Sequence, residues 1–141
     1  MLLILRIIRR EYLTTLLYQL NKPSVVAYNN TTKEIRYYTK DNGECTYEDW
    51  FTSLDVQTKI RIVSRIERLI DGHYGEYRKL VNSELSELKF KFGKGYRIYY
   101  KDLDDIIILF LAGGDKSNQK DDVKQAKKYY KDYLERLNNN G

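Results

Sequence analysis

Glu84-Leu85-Ser86-Glu87-Leu88-Lys89-Phe90-Lys91-Phe92 alternates apolar and polar side chains along most of its length, the period-two signature of a strand with one face on a core. Leu88, Phe90 and Phe92 share one face, and Glu87, Lys89 and Lys91 share the other. Gly93-Lys94-Gly95 supplies a hairpin turn. Tyr96 to Lys101 alternates again, so the two segments are expected to pair antiparallel. Ile106 to Leu111 is an unbroken apolar run, typical of a central strand covered on both sides. Gly113 and Gly114 are expected to break it.

Upstream, Glu34 to Tyr38 suits a strand closed by Asp41, Asn42 and Gly43. Thr46 and Asp49 resemble a capping box, after which Tyr47, Trp50, Phe51 and Leu54 recur at helical spacing. Asp55 can cap a second helix whose expected buried face is Val56, Ile60, Val63, Ile66 and Ile70, with Lys59, Arg61, Arg65 and Arg68 mostly solvated. Gly72 ends it, and His73 to Asn82 reads as an irregular loop. The last helix is expected to bury Val123, Ala126, Tyr130, Tyr133 and Leu137 and to leave Lys120, Lys124, Lys127, Lys128 and Lys131 outside. Strand, helix, helix, three strands, helix is an α+β domain with a mainly antiparallel sheet. Residues 1–32 read as an N-terminal extension and linker, with Leu5, Ile8, Tyr12 and Leu16 on one face of a marginal amphipathic helix, and residues 33–141 as the domain.

The 141 residues carry 25 Lys+Arg against 20 Asp+Glu, a formal charge of +5, which describes one small basic domain. Cys45 is the only cysteine, so an internal disulfide and a cysteine-built zinc site are excluded; this fits a reducing cytoplasm. His73 is the only histidine, which excludes histidine-built zinc and di-iron centres and any Ser-His-Asp arrangement that does not use it. Arg6, Arg9, Arg10 and Glu11 interrupt the apolar start short of the roughly 18 residues a membrane span requires. Fourteen tyrosines beside a positive balance fit stacking on nucleic-acid bases or, equally, half-buried strand positions.

Lys89 to Lys101 contains Lys89, Lys91, Lys94, Arg97 and Lys101 and no acidic residue. With Phe90, Phe92 and Ile98 inward, alternation sends Lys89, Lys91, Arg97, Tyr99 and Lys101 to one outer face. Such crowding suits an anionic ligand, or is a solvated edge whose lysines deter aggregation. Gly113-Gly114-Asp115-Lys116-Ser117, at the start of the last helix, offers amides and one cation to a phosphate, or is a tight turn capped by Asp115 or Ser117. It lacks the spacing of a nucleotide-binding P-loop. His73 is held as a reserve acid or base.

Glu87-Leu88-Lys89-Phe90-Lys91-Phe92-Gly93-Lys94-Gly95-Tyr96-Arg97-Ile98-Tyr99-Tyr100, followed by Leu111-Ala112-Gly113-Gly114-Asp115-Lys116-Ser117-Asn118-Gln119, resembles the addiction-module killer, HigB-like branch of the RelE/ParE toxin superfamily. The resemblance spans about Lys33 to Leu137. It implies a RelE-like fold, with a small sheet, two N-terminal helices and a C-terminal helix. It further implies the toxin of a type II toxin–antitoxin system, a cytoplasmic mRNA interferase that cleaves mRNA on the ribosome. The implied partners are the ribosome, mRNA and a cognate antitoxin, often a helix-turn-helix protein of the HigA kind. No metal, organic cofactor or membrane is implied. The ParE branch implies instead a toxin that inhibits DNA gyrase without cleaving RNA, and a third reading is a non-toxic module that binds nucleic acid or antitoxin.

By the same resemblance Lys89 and Lys91 fall on the paired strand lysines of RelE members and Arg97 on their active-site arginine, while Lys116 stands where many members carry a second arginine. Val123 stands near the place of the RelE catalytic tyrosine. The catalytic candidates are thus Lys89, Lys91, Arg97 and Lys116, and the substrate contacts are Lys94, Tyr96, Tyr99, Lys101 and Ser117. In cleavage by an RNA 2′-hydroxyl, Lys91 or Lys89 would act as base and Arg97 would hold the scissile phosphate. Lys116 would meet the phosphate or the leaving oxygen, and Tyr99 would stack on or orient a base.

Overall fold

The structure, a computed structural model, describes residues 32–140; the expected extension, Thr32 aside, lies outside the described residues. The elements in chain order are β1 (Glu34–Tyr37), α1 (Thr46–Thr52), α2 (Val56–Ile70), β2 (Tyr77–Lys79), β3 (Ser86–Lys89), β4 (Arg97–Asp102), β5 (Ile107–Gly114), a 3₁₀ turn (Lys116–Asn118) and α3 (Gln119–Asn139). They make an α+β domain with one mixed sheet of strand order β1-β5-β4-β3-β2. Only β1 and β5 run parallel; the remaining pairs are antiparallel. Among the described residues no helix is long and apolar enough to cross a membrane.

The unbroken apolar run of β5 is explained by its place, hydrogen-bonded to β1 on one side and to β4 on the other. Ile108, Leu109, Phe110 and Leu111 are all at most 1% exposed. Such side chains contribute about 1.5–3 kcal/mol each by leaving water. Phe110 packs against Tyr47 of α1 at a ring distance of 5.1 Å. Leu109 and Leu111 join Tyr38, Tyr99 and Ala126 in the cluster beneath α3, where Val123, Tyr129, Tyr130 and Tyr133 cover them. Leu137, expected in that stripe, is 54% exposed.

Gly113 and Gly114 do not break the strand; they are its last two residues, opposite Ile98 and Arg97. They admit close approach from both faces. A Cβ on Gly113 would lie 2.0 Å from the Trp50 ring of α1, and one on Gly114 would lie 2.0 Å from the Asp122 carboxylate of α3.

Two further expectations are corrected. The stretch taken as loop contains β2, an edge strand whose three residues are all exposed and so carry no alternation. On α2 the buried side chains are Thr58, Lys59, Ile62, Ile66 and Leu69, whereas Val56 and Ile60 are 59% and 58% exposed. Apolar residues cover about half of this helix's circumference at 100° per residue; the side turned inward is centred about 90° from the expected face, and Arg65 fastens it there. Its guanidinium donates to the carbonyl oxygens of Tyr74, Glu76 and Lys89 at 2.6–3.1 Å and lies over the Phe90 ring, tying α2 to the ends of β2 and β3. Lys59, expected in water, lies against the Phe51 ring.

Candidate functional site

Beyond Lys89 the chain leaves regular pairing. Gly93 and Gly95 take φ values of +54° and +72°, a left-handed region that strains residues with a Cβ. The loop they form rests on the 3₁₀ turn before α3: the Lys116 amide donates to the Lys94 carbonyl at 3.3 Å. Between loop, strand ends and turn lies a cleft of about 410 Å³. Five cations, Lys89, Lys91, Lys94, Arg97 and Lys116, line it together with one carboxylate, Glu76.

Arg97 is not the free outward arginine that alternation suggested. Its side chain is 10% exposed and its Nε lies 3.5 Å from Glu87 Oε2, an ion pair without hydrogen-bond geometry, while Nη1 donates to the Gly95 carbonyl at 3.2 Å. Glu87, with a side chain 0% exposed, also receives Arg78 Nη2 at 2.8 Å on Oε1 and Gln119 Nε2 at 3.1 Å on Oε2. A single buried carboxylate thus joins β2, β3, β4 and the first residue of α3. The register explains the convergence, since Arg78 lies opposite Glu87 and Arg97 lies opposite Lys89, one pleat away. Buried charge is tolerated only when it is paired and hydrogen-bonded in this manner.

Lys89 and Lys91 share a second carboxylate. Their Nζ atoms lie 3.7 Å and 3.0 Å from the two oxygens of Glu76, and their side chains are 29% and 79% exposed. The hydrogen bond from Lys91, followed by the charges of both lysines, holds the Glu76 carboxyl below its ordinary range. The crowding of like charge is therefore offset from outside the Lys89–Lys101 segment. Glu76 comes from a stretch with no periodicity, and the one sequence signal that could have found it is a carboxylate immediately before a short tyrosine-led strand.

The remaining candidates lie elsewhere. Tyr96 is buried, its ring against Phe92 at 5.4 Å and near Trp50. Tyr99 is 0% exposed beneath α3. Among the described residues its hydroxyl has no hydrogen-bond partner, and burial, with the nearby charges of Glu87 and Asp122, pushes its pKa up. Neither ring is free to stack on a base: Tyr96 is held by Phe92 and Trp50, and the face of β4 that alternation turned outward, with Tyr99 on it, is roofed by α3. Lys101 is half-buried opposite Leu109, toward the other end of β4. Ser117 donates from both its amide and its hydroxyl to Asp115 Oδ1. The Asp115 carboxylate thus occupies the Ser117 amide and the Lys94 carbonyl the Lys116 amide, and the junction is a capped turn. His73 is exposed in the turn after α2 and does not line the cleft.

No family model matches the sequence. A protein of Haemophilus influenzae described as an uncharacterized protein is 41% identical over 83 residues, which are 58% of this chain and 83% of the relative. The chain belongs to the same family as that protein. The relative's description names no activity, so the chemistry rests on the cleft.

Proposed function

We propose that this chain has a RelE-like fold of the HigB kind and is the toxin of a type II toxin–antitoxin system, an endoribonuclease that cuts mRNA on the ribosome in the cytoplasm. The observation that supports this is the cleft itself, where five cations surround one ionised carboxylate and the arginine among them is held by buried Glu87. Cleavage by internal transfer consumes no water. The 2′-oxygen bonds to the adjacent phosphorus, the bond to the 5′-oxygen of the next nucleotide breaks, and a 2′,3′-cyclic phosphate remains. The protein must accept the proton of the 2′-hydroxyl, neutralise the phosphoryl oxygens and supply a proton to the departing 5′-oxygen.

Arg97 and Lys89 take the phosphoryl oxygens. Glu76 takes the 2′-proton, because the hydrogen bond from Lys91 and the charges of both lysines hold its carboxyl in the ionised form. Lys91 orients that carboxylate, and Lys116 protonates the leaving oxygen from the opposite wall. With Tyr96 and Tyr99 buried, base stacking is left to the ribosome, and free RNA is a poor substrate. The test is to map mRNA 5′ ends after induction, with a DNA gyrase supercoiling assay alongside. Cuts within translated codons support the nuclease; inhibited supercoiling with intact mRNA overturns it in favour of a gyrase inhibitor.

A further inference from the structure

Lys120, Lys124, Lys127 and Lys131 of α3 are spaced by four, three and four residues, which places them within about 60° of arc on a helix of 3.6 residues per turn. Lys128 lies at the edge of the same sector. Every residue of that sector from Lys120 to Lys131 is lysine, all five are exposed, and among the described residues no ion pair engages them. The acids Asp121, Asp122 and Asp132 lie about 100° or more around the axis from Lys120; Glu135 closes the stripe one turn past Lys131. An ordinary solvated helix intersperses signs, because lysines three and four apart destabilise it. Here five such like-charge pairs are retained.

The stripe starts beside the cleft. Lys116, one turn before Lys120, lines it, and Gln119 holds the carboxylate that pairs with Arg97. From Lys120 to Lys131 the helix rises about 16 Å, the axial length of roughly five stacked nucleotides at 3.4 Å each.

We propose that this stripe is a track for the sugar-phosphate backbone of RNA leading from the cleft. The proposal rests on the nuclease reading above and adds a second contact surface to it. Evenly spaced cations without an apolar residue among them suit a polyanion of regular charge better than an acidic protein helix, which would also require apolar anchors.

The experiment uses the full chain and a 2′-O-methyl oligouridine, which cannot be cleaved through its 2′-oxygen. Affinity is measured by fluorescence anisotropy between about 50 and 200 mM salt. For the K120Q/K124Q/K127Q/K131Q variant, the slope of log affinity against log salt becomes shallower by about 3, since each phosphate contact on a single strand contributes about 0.7. Thermal unfolding of the variant should match the wild type. An unchanged slope, no binding by the wild type, or tighter binding to poly-glutamate than to the oligouridine overturns the track, the last in favour of an acidic protein. A cleft variant, K89Q/K91Q, assayed on ribosome-bound mRNA separates the two readings. If the wild type leaves ribosome-bound mRNA uncut while the stripe variant loses slope, the nuclease reading fails and the track stands as an RNA contact; if K89Q/K91Q loses cutting while the stripe slope is unchanged, the track alone fails.

Discussion

Arg97 and Glu87 form one buried ion pair in the cleft wall. In the proposed nuclease, replacing Arg97 by Ala would remove a transition-state clamp worth about 2–4 kcal/mol, and would also leave Glu87 with one fewer partner in a site where breaking a pair costs several kcal/mol. Arg97→Lys separates the two effects by retaining charge while losing the fork. It should keep most of the thermal stability and lose activity at least about thirtyfold, the lower end of that clamp energy, measured as cleavage of ribosome-bound mRNA beside a melting curve. Wild-type rates in the lysine variant would remove Arg97 from the chemistry. Glu76 makes a separate prediction in pH. Its carboxyl is held low by Lys91, so the deprotonated form is complete above the unperturbed carboxylate value of about 4.3. On the acid side, cleavage should therefore stay flat down to about pH 5 and fall as pH drops through the depressed value; the ion pair's contribution to folding follows the same sign. A rate that climbs steadily into the alkaline range would name a lysine as base instead. Lys89, Lys91, Lys94 and Arg97 were legible because they sit in one hairpin whose alternation and turn are local. Glu76, the carboxylate partner of Lys89 and Lys91, was not, since its relation to them is set by pairing of the edge strand β2 with β3, and Tyr99 was misread because a face turned away from one helical layer was taken as a face turned to water.

The helices show the same division between local and long-range information. The buried side of α3 followed from spacing because its polar residues are nearly all charged, leaving one candidate stripe. On α2 the apolar residues span about half of the circumference, wide enough for two overlapping faces, and the observed face is the one from which Arg65 reaches three carbonyl oxygens that only the folded sheet brings together. The consequence is a contrast between two neighbouring isoleucines. Ile62 is 0% exposed and Ile60 is 58% exposed. Ile62→Ala should cost about 2–5 kcal/mol in denaturant unfolding, whereas Ile60→Ala should fall within about 0.5 kcal/mol of wild type. A larger loss at Ile60 than at Ile62 would place the helix in the phase suggested by periodicity. Gly113 and Gly114 carry a related lesson: glycines at a strand end were read as a break, but they mark where α1 and α3 press most closely on β5.

Across the whole domain, α1 lies against one face of β5 and α3 against the other, and the cleft opens where β3, β4 and the turn before α3 meet. That position joins chemistry to architecture, since Gln119 at the start of α3 and Arg78 on the edge strand both hold the carboxylate that holds Arg97. α3 is secured farther along by Asp132, which accepts from the Tyr38 hydroxyl at 2.6 Å and pairs with Arg136 at 2.8 Å. The central claim is that this cleft cuts RNA by internal phosphoryl transfer, and the most direct measurement is the chemistry of the cut ends. Purified protein is incubated with ribosomes stalled on a defined mRNA, and the upstream fragment is examined for its 3′ terminus. A 2′,3′-cyclic phosphate, formed without added divalent metal beyond that of the ribosome and lost in the Glu76→Gln protein, is the result expected. Uncut mRNA, or a 3′-hydroxyl terminus from attack by water on the opposite bond, would contradict it.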